Sequence, residues 1–300
     1  GYAYFVLAWS HLFRGNYEEV FPFKEEAVSK MEKAFNLRWY VYVLCGAARA
    51  YAILGRFHEA VAEGQEALRV AEEFSHNSLI SFAAFTLTFV YTWKGDLDQA
   101  IQYGELSVEK APTPGERAWG QRNLAWAWCR AGEIHKGIEM QNEVLKTFRA
   151  GHFMPGIIIH ACQSGEGYFL AGDYDKATKT LEEGVELAER CGMRFYMGWA
   201  HRLLGEIALK ANPTQAAPYF EKSIAVLREI KADNELALAY AGYGRLHKQQ
   251  AQIAQAREYL TKALEIFERL GTLTEPDKVR EELAELPKGQ TASYDGSPVE

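Results

Sequence analysis

A short loop recurs along almost the whole of this 300-residue chain: a glycine, a polar residue, an aromatic or aliphatic residue, and an alanine three places further on. It stands as Gly15-Asn16-Tyr17, Gly55-Arg56-Phe57-His58-Glu59-Ala60, Gly95-Asp96-Leu97-Asp98-Gln99-Ala100 and Gly172-Asp173-Tyr174-Asp175-Lys176-Ala177, with weaker copies starting at Gly132, Ala211 and Ala251. The start-to-start spacings are 40, 40, 37, 40, 39 and 40 residues. A fixed period of this size constrains the chain to a stack of small units that each bury a face on their neighbours. It also overrides the several-domain reading that length alone would suggest.

Around Gly172 the pattern is that of two helices. Ala161 to Leu170 before it, and Ala177, Leu181, Gly184, Val185 and Ala188 after it, carry apolar or small residues at spacings of three and four. Gly172 can adopt the left-handed conformation that ends a helix, and Asp173 can accept hydrogen bonds from the free N–H groups of the next. Asn16-x-x-Glu19 and Asp96-x-x-Gln99 extend this toward a capping box. A connection this short makes the two helices antiparallel. Small residues recur where they would touch: Ala60, Gly64 and Ala67; Ala100, Gly104 and Ser107; Ser223; Ala256 and Ala263; and, in the first helix, Gly165, Gly205 and Gly244. Glycine inside a helix costs about 0.5–1 kcal/mol relative to alanine, so its recurrence at one register predicts close backbone approach.

These features resemble the tetratricopeptide repeat. Gly165, Tyr168, Gly172, Asp173, Tyr174 and Ala177 fit its pattern, and Tyr51, Gly55 and Ala60 and Tyr91, Gly95, Asp96 and Ala100 fit more loosely. The resemblance implies an all-α fold over residues 1–287. That fold is a right-handed superhelical solenoid of about seven antiparallel helix pairs, with a C-terminal capping helix from Glu275 to Leu286. The repeat is longer than the usual 34 residues, which is similar to the helical sensor or scaffold regions of large bacterial regulators. Pro22 should kink or delay the second helix of the first pair, and Thr214 is a candidate cap. The polar run 288–300, with its glycines and proline, reads as a disordered tail.

In the family the first helix of each pair lines the concave face. Counting back from each turn glycine, with Gly205 as the anchor in the sixth pair, gives an inner set rich in aromatics and arginines: Tyr42, Arg49, Phe82, Phe85, Phe89, Trp119, Arg122, Trp126, Glu166, Trp199, Arg202 and Arg245. Both residue types are favoured at the energetic centres of interfaces. The expectation is an aromatic floor over residues 82–126, flanked by Arg49, Arg122, Arg202 and Arg245 and holding an acidic or aromatic segment. Aromatic stripes at helical spacing also serve as core, whereas arginines are rarely fully buried unless paired.

Other chemistry finds no support. The net charge of −7 argues against a nucleic-acid-binding face, and the apolar stretches are too short for a membrane span. No phosphate loop, HExxH or GxSxG is present, so no enzyme activity and no cofactor are expected. The four cysteines, Cys45, Cys129, Cys162 and Cys191, are scattered; they read as small core residues in a reducing, cytoplasmic compartment. The chain begins inside a helix pattern and reads as a piece of a longer protein. The expected function is a protein-interaction scaffold for a protein or peptide, other domains of its own parent chain included. The alternative is a small-effector sensor domain of a bacterial signalling or transcription regulator. Self-association through the end faces is a further possibility.

Overall fold

The computed structural model describes residues 2–34 and 37–287, so the expected tail at 288–300 lies outside the described residues. Among the described residues there are fifteen α-helices and no strand. They pair in chain order: α1 (Tyr2–Arg14) with α2 (Val20–Ala34), α3 (Leu37–Ile53) with α4 (Phe57–Glu73), α5 (Asn77–Lys94) with α6 (Leu97–Lys110), and α7 (Pro114–Arg130) with α8 (Ile134–Ala150). Then come α9 (Met154–Leu170) with α10 (Tyr174–Cys191), α11 (Arg194–Ala211) with α12 (Ala216–Glu229), and α13 (Asp233–Gln249) with α14 (Ile253–Leu270). The last helix, α15 (Glu275–Ala284), packs on α14 and buries Val279 against the end of the stack, as the closing helix of an array must.

The turns follow the sequence closely. Gly15, Gly55, Gly95, Gly132 and Gly172 all have φ between +77° and +96°, the left-handed region that favours glycine. Asp173 accepts from the Lys176 N–H at 3.3 Å and Asp96 from the Gln99 N–H at 3.4 Å. Asn16 departs from its expected role: its side chain caps nothing and instead accepts from Arg194 Nη2 at 3.0 Å. Thr214 does not cap α12 either; it sits in a 3₁₀ turn, Pro213–Gln215, and donates to Asn212 Oδ1. Pro22 delays its helix as expected, since a 3₁₀ turn at Tyr17–Glu19 precedes α2 and the proline falls in the first α-turn. Ala251 occupies the glycine place of the last turn with φ +60°.

The small residues bring helices together as their recurrence predicts. A Cβ added to Gly64 would lie 2.6 Å from Leu87, on Gly104 2.8 Å from Leu124, on Gly165 2.5 Å from Leu181 and on Gly244 2.8 Å from Leu260. At the α5–α6 crossing the approach is close enough for reciprocal bonds: Ser81 Oγ donates to the Ser107 carbonyl at 2.8 Å and Ser107 Oγ to the Ser81 carbonyl at 2.9 Å.

The stack then curls until its two halves meet. Helix α1 touches α11, and α3 touches α13. Arg194 Nε donates to the Arg14 carbonyl at 3.1 Å, Leu270 packs on the Gly55 turn, and the Leu273 N–H donates to the Lys94 carbonyl at 3.0 Å. The interior thus becomes a closed core. Three cysteines are buried there or between helices, but Cys191 is exposed at the end of α10, against the expectation of four core residues.

Two substitutions test this packing. Gly165→Ala should lower the unfolding free energy by about 1–3 kcal/mol, because the new methyl meets a wholly buried Leu181 side chain. Ala251→Gly should raise it by roughly 0.5–1 kcal/mol, since glycine relieves the left-handed strain at that turn. Chemical denaturation of each variant beside the wild type measures both.

Candidate functional site

The first helix of each pair faces the interior. Helices α3, α5, α9 and α11 are buried on nearly every side, whereas α10 buries only the stripe Ala177, Leu181, Gly184 and Ala188. A helix buried all round lies between layers, and a striped one is an outer wall. The register count therefore picks residues that face the interior, where Trp126 contacts both Trp93 and Trp199 with ring centroids 5.2 Å apart, joining pairs three, four and six.

Their exposure differs from expectation. Phe85, Phe89, Trp126 and Trp199 are fully buried core, and Glu166 is buried. Arg49, Arg122 and Arg202, expected as exposed flanks of a groove, are 1%, 0% and 6% exposed. The cause is the closure of the superhelix, which lays the later pairs over the face that the earlier ones present. Only Tyr42, Phe82, Trp119 and Arg245 keep partial exposure, and Arg245 is held by Glu206 at 2.7 Å and Glu282 at 2.8 Å.

Three of those four lie at one opening. A cavity of about 520 Å³ is lined by Phe5, Trp9, Phe13, Tyr42, Phe82, Phe85, Trp119 and Phe153, with Ser10, Ser78, Ser81 and Glu116 as its polar groups. The rings brace one another: Trp9 and Phe82 at 5.6 Å, Tyr42 and Phe82 at 4.6 Å, Phe85 edge-on to Trp119 at 5.6 Å, and Trp119 against Phe153 at 4.8 Å. The Trp9 indole donates to the Tyr42 carbonyl at 3.1 Å, which fixes α1 on α3. On the rim, Glu116 accepts from the hydroxyls of Ser78 and Thr113. A cavity of this size and lining suits an apolar or aromatic group, with few polar groups to orient it.

Phe5, Trp9, Phe13 and Phe153 were not among the expected site residues. The signal for two of them was in reach: the same register count applied to Gly15 lands on Phe5 and Trp9. Phe153 sits in the α8–α9 turn and no count finds it.

Deeper in, charge is arranged in two regions. In one, carboxylates match cations. The buried Arg202–Glu235 pair is in direct contact, Trp126 Nε1 donates to Glu166 at 2.8 Å, and Arg130 lies 3.8 Å from Glu275. Burial works against the charge of Arg202, but Glu235, Glu166 and Glu206 outweigh it and hold the guanidinium charged. The other region contains Arg49 and Arg122. Arg49 stacks on Phe89 at 3.9 Å, and Arg122 lies over Phe85, Trp119 and Phe148 at 5.3–5.7 Å. Burial and then the Arg49 charge push Arg122 down to about 9, so it remains a cation at neutral pH.

His160, one turn from Gln163 in the same interior, generates a pH dependence. Burial, and then the nearby Arg122 and Arg149 charges, push it down to about 3. Below the ordinary histidine value near 6.5 the unfolded chain takes a proton that the folded one refuses. Stability from this group is complete above pH 6.5 and is lost as pH falls, by about 1.4 kcal/mol per unit below about pH 6. His201, pushed down to about 4 by burial and then by Lys222, adds a like contribution, so urea denaturation at pH 7, 6 and 5 should show a slope that His160→Gln reduces by about this amount. An equal slope in the variant assigns the effect elsewhere.

Comparison with known proteins agrees with this architecture. Residues 210–269 match the tetratricopeptide repeat. A Rap protein solved in complex with competence and sporulation factor superposes with a TM-score of 0.58 at 12% identity, covering 94% of this chain and 96% of that one. A signal transduction ATPase with numerous domains and a tetratricopeptide repeat sensor, from Pyrococcus horikoshii, gives 0.59 at 13% identity, covering 89% of this chain and 43% of that one. Aspartyl phosphate phosphatase F from Bacillus subtilis gives 0.53 at 14% identity, covering 93% and 77%. At these identities the likeness is one of fold. A curated 5-dehydro-2-deoxygluconokinase from Halalkalibacterium halodurans is 33% identical over 95 residues, 30% of this chain. The chain spans only 26% of that relative's length, so the match carries no kinase activity to it. Residues 210–269 thus match the tetratricopeptide repeat directly, and the other helix hairpins of the stack share its architecture.

Proposed function

We propose that this protein is a non-catalytic interaction scaffold that takes a peptide segment of a partner at the aromatic cavity of its inner face. The observation that carries the reading is the cavity itself: about 520 Å³, walled by rings from the first four helix pairs and the α8–α9 turn, and open where Tyr42, Phe82 and Trp119 are half-exposed. A scaffold needs a recess that accepts one large apolar side chain and excludes water around it, because such anchors carry most of the energy of an interface. The braced rings supply this without rearrangement, which lowers the ordering cost of binding. The fold is shared with a Rap protein that has been solved with a bound factor, and this supports a binding role for the same architecture here.

The partner surface is thus narrower than the inner face as a whole. Tyr42, Phe82 and Trp119 are its proposed contacts, with Phe85 as the floor beneath them. Trp126, Trp199, Glu166, Arg202 and the other buried inner residues support it from behind. The small-effector alternative would use the same recess, so the experiment must separate the two. Peptides selected from a random displayed library against the full chain should converge on an aromatic or large aliphatic anchor. Phe82→Ala and Trp119→Ala should weaken a selected peptide at least about tenfold in calorimetry, with helicity unchanged. Failure of the library to yield a binder, or binders indifferent to both substitutions, overturns the scaffold reading.

A further inference from the structure

A guanidinium has five N–H donors and keeps its charge at neutral pH, so a buried one requires acceptors. Inside this protein the requirement is met unevenly. Arg202 and Arg245 are each paired with a carboxylate, and Arg130 has Glu275 nearby. Arg49 and Arg122, equally or more deeply buried, have no carboxylate partner among the described residues. Arg122 Nε and Nη1 have no hydrogen-bond partner at all, and its Nη2 reaches only Asn123 Oδ1, at 3.5 Å. Arg49 Nη1 is likewise without a partner. Both lie against the Phe85 ring, their guanidinium carbons 5.2 and 5.4 Å from its centroid. The phenols of Tyr17 and Tyr196 feel the Arg49 charge, and the Tyr17 hydroxyl is buried with no partner. Tyr196 takes one hydrogen bond from Arg49, and rings satisfy the faces of the two guanidiniums, but Arg49 Nη1 and Arg122 Nε and Nη1 are left without acceptors.

We propose that Arg49 and Arg122, with the Tyr17 and Tyr196 hydroxyls beside them, form an enclosed binding site for a small oxyanion, a carboxylate or a phosphate group. Two guanidinium edges and phenolic O–H donors around one anion are the donor set that such groups take, through short charge-assisted bonds. The anion would supply the charge that the carboxylates supply in the neighbouring half of the interior. The aromatic cavity adjoins this site, because Phe85 and Trp119 line the cavity on one side and touch Arg122 on the other. A single layer of rings therefore separates the cavity from the arginines. This site does not depend on the partner reading: it would bind a free oxyanion in a protein that grips no peptide.

The test is titration of the full chain with sodium phosphate and with sodium octanoate at constant ionic strength in chloride, read by calorimetry and by unfolding temperature. Octanol serves as the uncharged control. Saturable binding of either anion, with a matching rise in unfolding temperature, is expected. Affinity should fall at least about tenfold in Arg122→Gln and in Arg49→Gln, the loss of one charge-assisted hydrogen bond. Arg122→Lys, which keeps charge and loses the planar fork, should fall between. Phosphate binding identifies a free oxyanion as a sufficient ligand. Octanoate binding without phosphate identifies an anion carried on an apolar body seated in the cavity. No saturable binding of either anion by the wild type overturns the proposal whether or not the variants fold. Equal affinity in both glutamine variants, or octanol binding as tightly as octanoate where phosphate does not bind, also overturns it.

Discussion

Three left-handed turns, at Gly15, Gly55 and Gly95, rest on the ends of the last two second helices, α12 and α14, and the loop that leads out of α14. Ile230 meets the first, Leu270 the second, and Leu273 and Thr274 the third. Residues about 180 positions apart are hydrogen-bonded across this seam, through Arg194 to Arg14 and Asn16. The side chains that a helix-hairpin array shows to solvent on its hollow side are here enclosed by its own later members. Core burial of Trp126 and Trp199 and the isolation of Arg122 both follow from that closure.

Closure also explains why aromatic rings dominate the interior. A hollow lined by seven first helices is wide, and filling it takes large side chains reaching inward from several directions. Trp93 meets Trp126 and Trp199 edge to face at 5.2 and 4.9 Å, a geometry that puts the positive ring edge on the negative ring face, and Trp126 and Trp199 meet tilted at 5.2 Å. Toward the opening the rings no longer meet across the axis, and the space left over is the cavity under Phe82 and Trp119. The cavity is therefore the unfilled end of the same aromatic column that holds the centre together.

Much of this was legible before any coordinates. Local chemistry wrote the turns: glycine where φ must be positive, Asp96 and Asp173 where a helix needs an acceptor, glycine at Gly64, Gly104 and Gly165 where backbones touch. Each depends on residues within one hairpin or the next, and the forty-residue rhythm repeats the evidence. The inner set was found by the same rhythm. Its burial was not, because the curvature that closes the stack is a small rotation per pair summed over seven pairs, and no single hairpin encodes the sum. Asn16 shows the same limit at one residue. Its local pattern reads as a helix cap, but a partner nearly two hundred positions away, Arg194, takes its side-chain oxygen.

The seam has a bearing on how the molecule comes apart. In an open array the outermost units melt first and the loss travels inward, since each unit leans only on its immediate neighbours. Here the first pair leans on the sixth as well as the second, and the second on the seventh as well as the first and third. Neither extremity is a free edge from which fraying can begin. Opening the ring at any hairpin strips cover from hairpins on both sides of the break, so denaturation is concerted, and the array behaves as one cooperative body rather than a row of semi-independent ones.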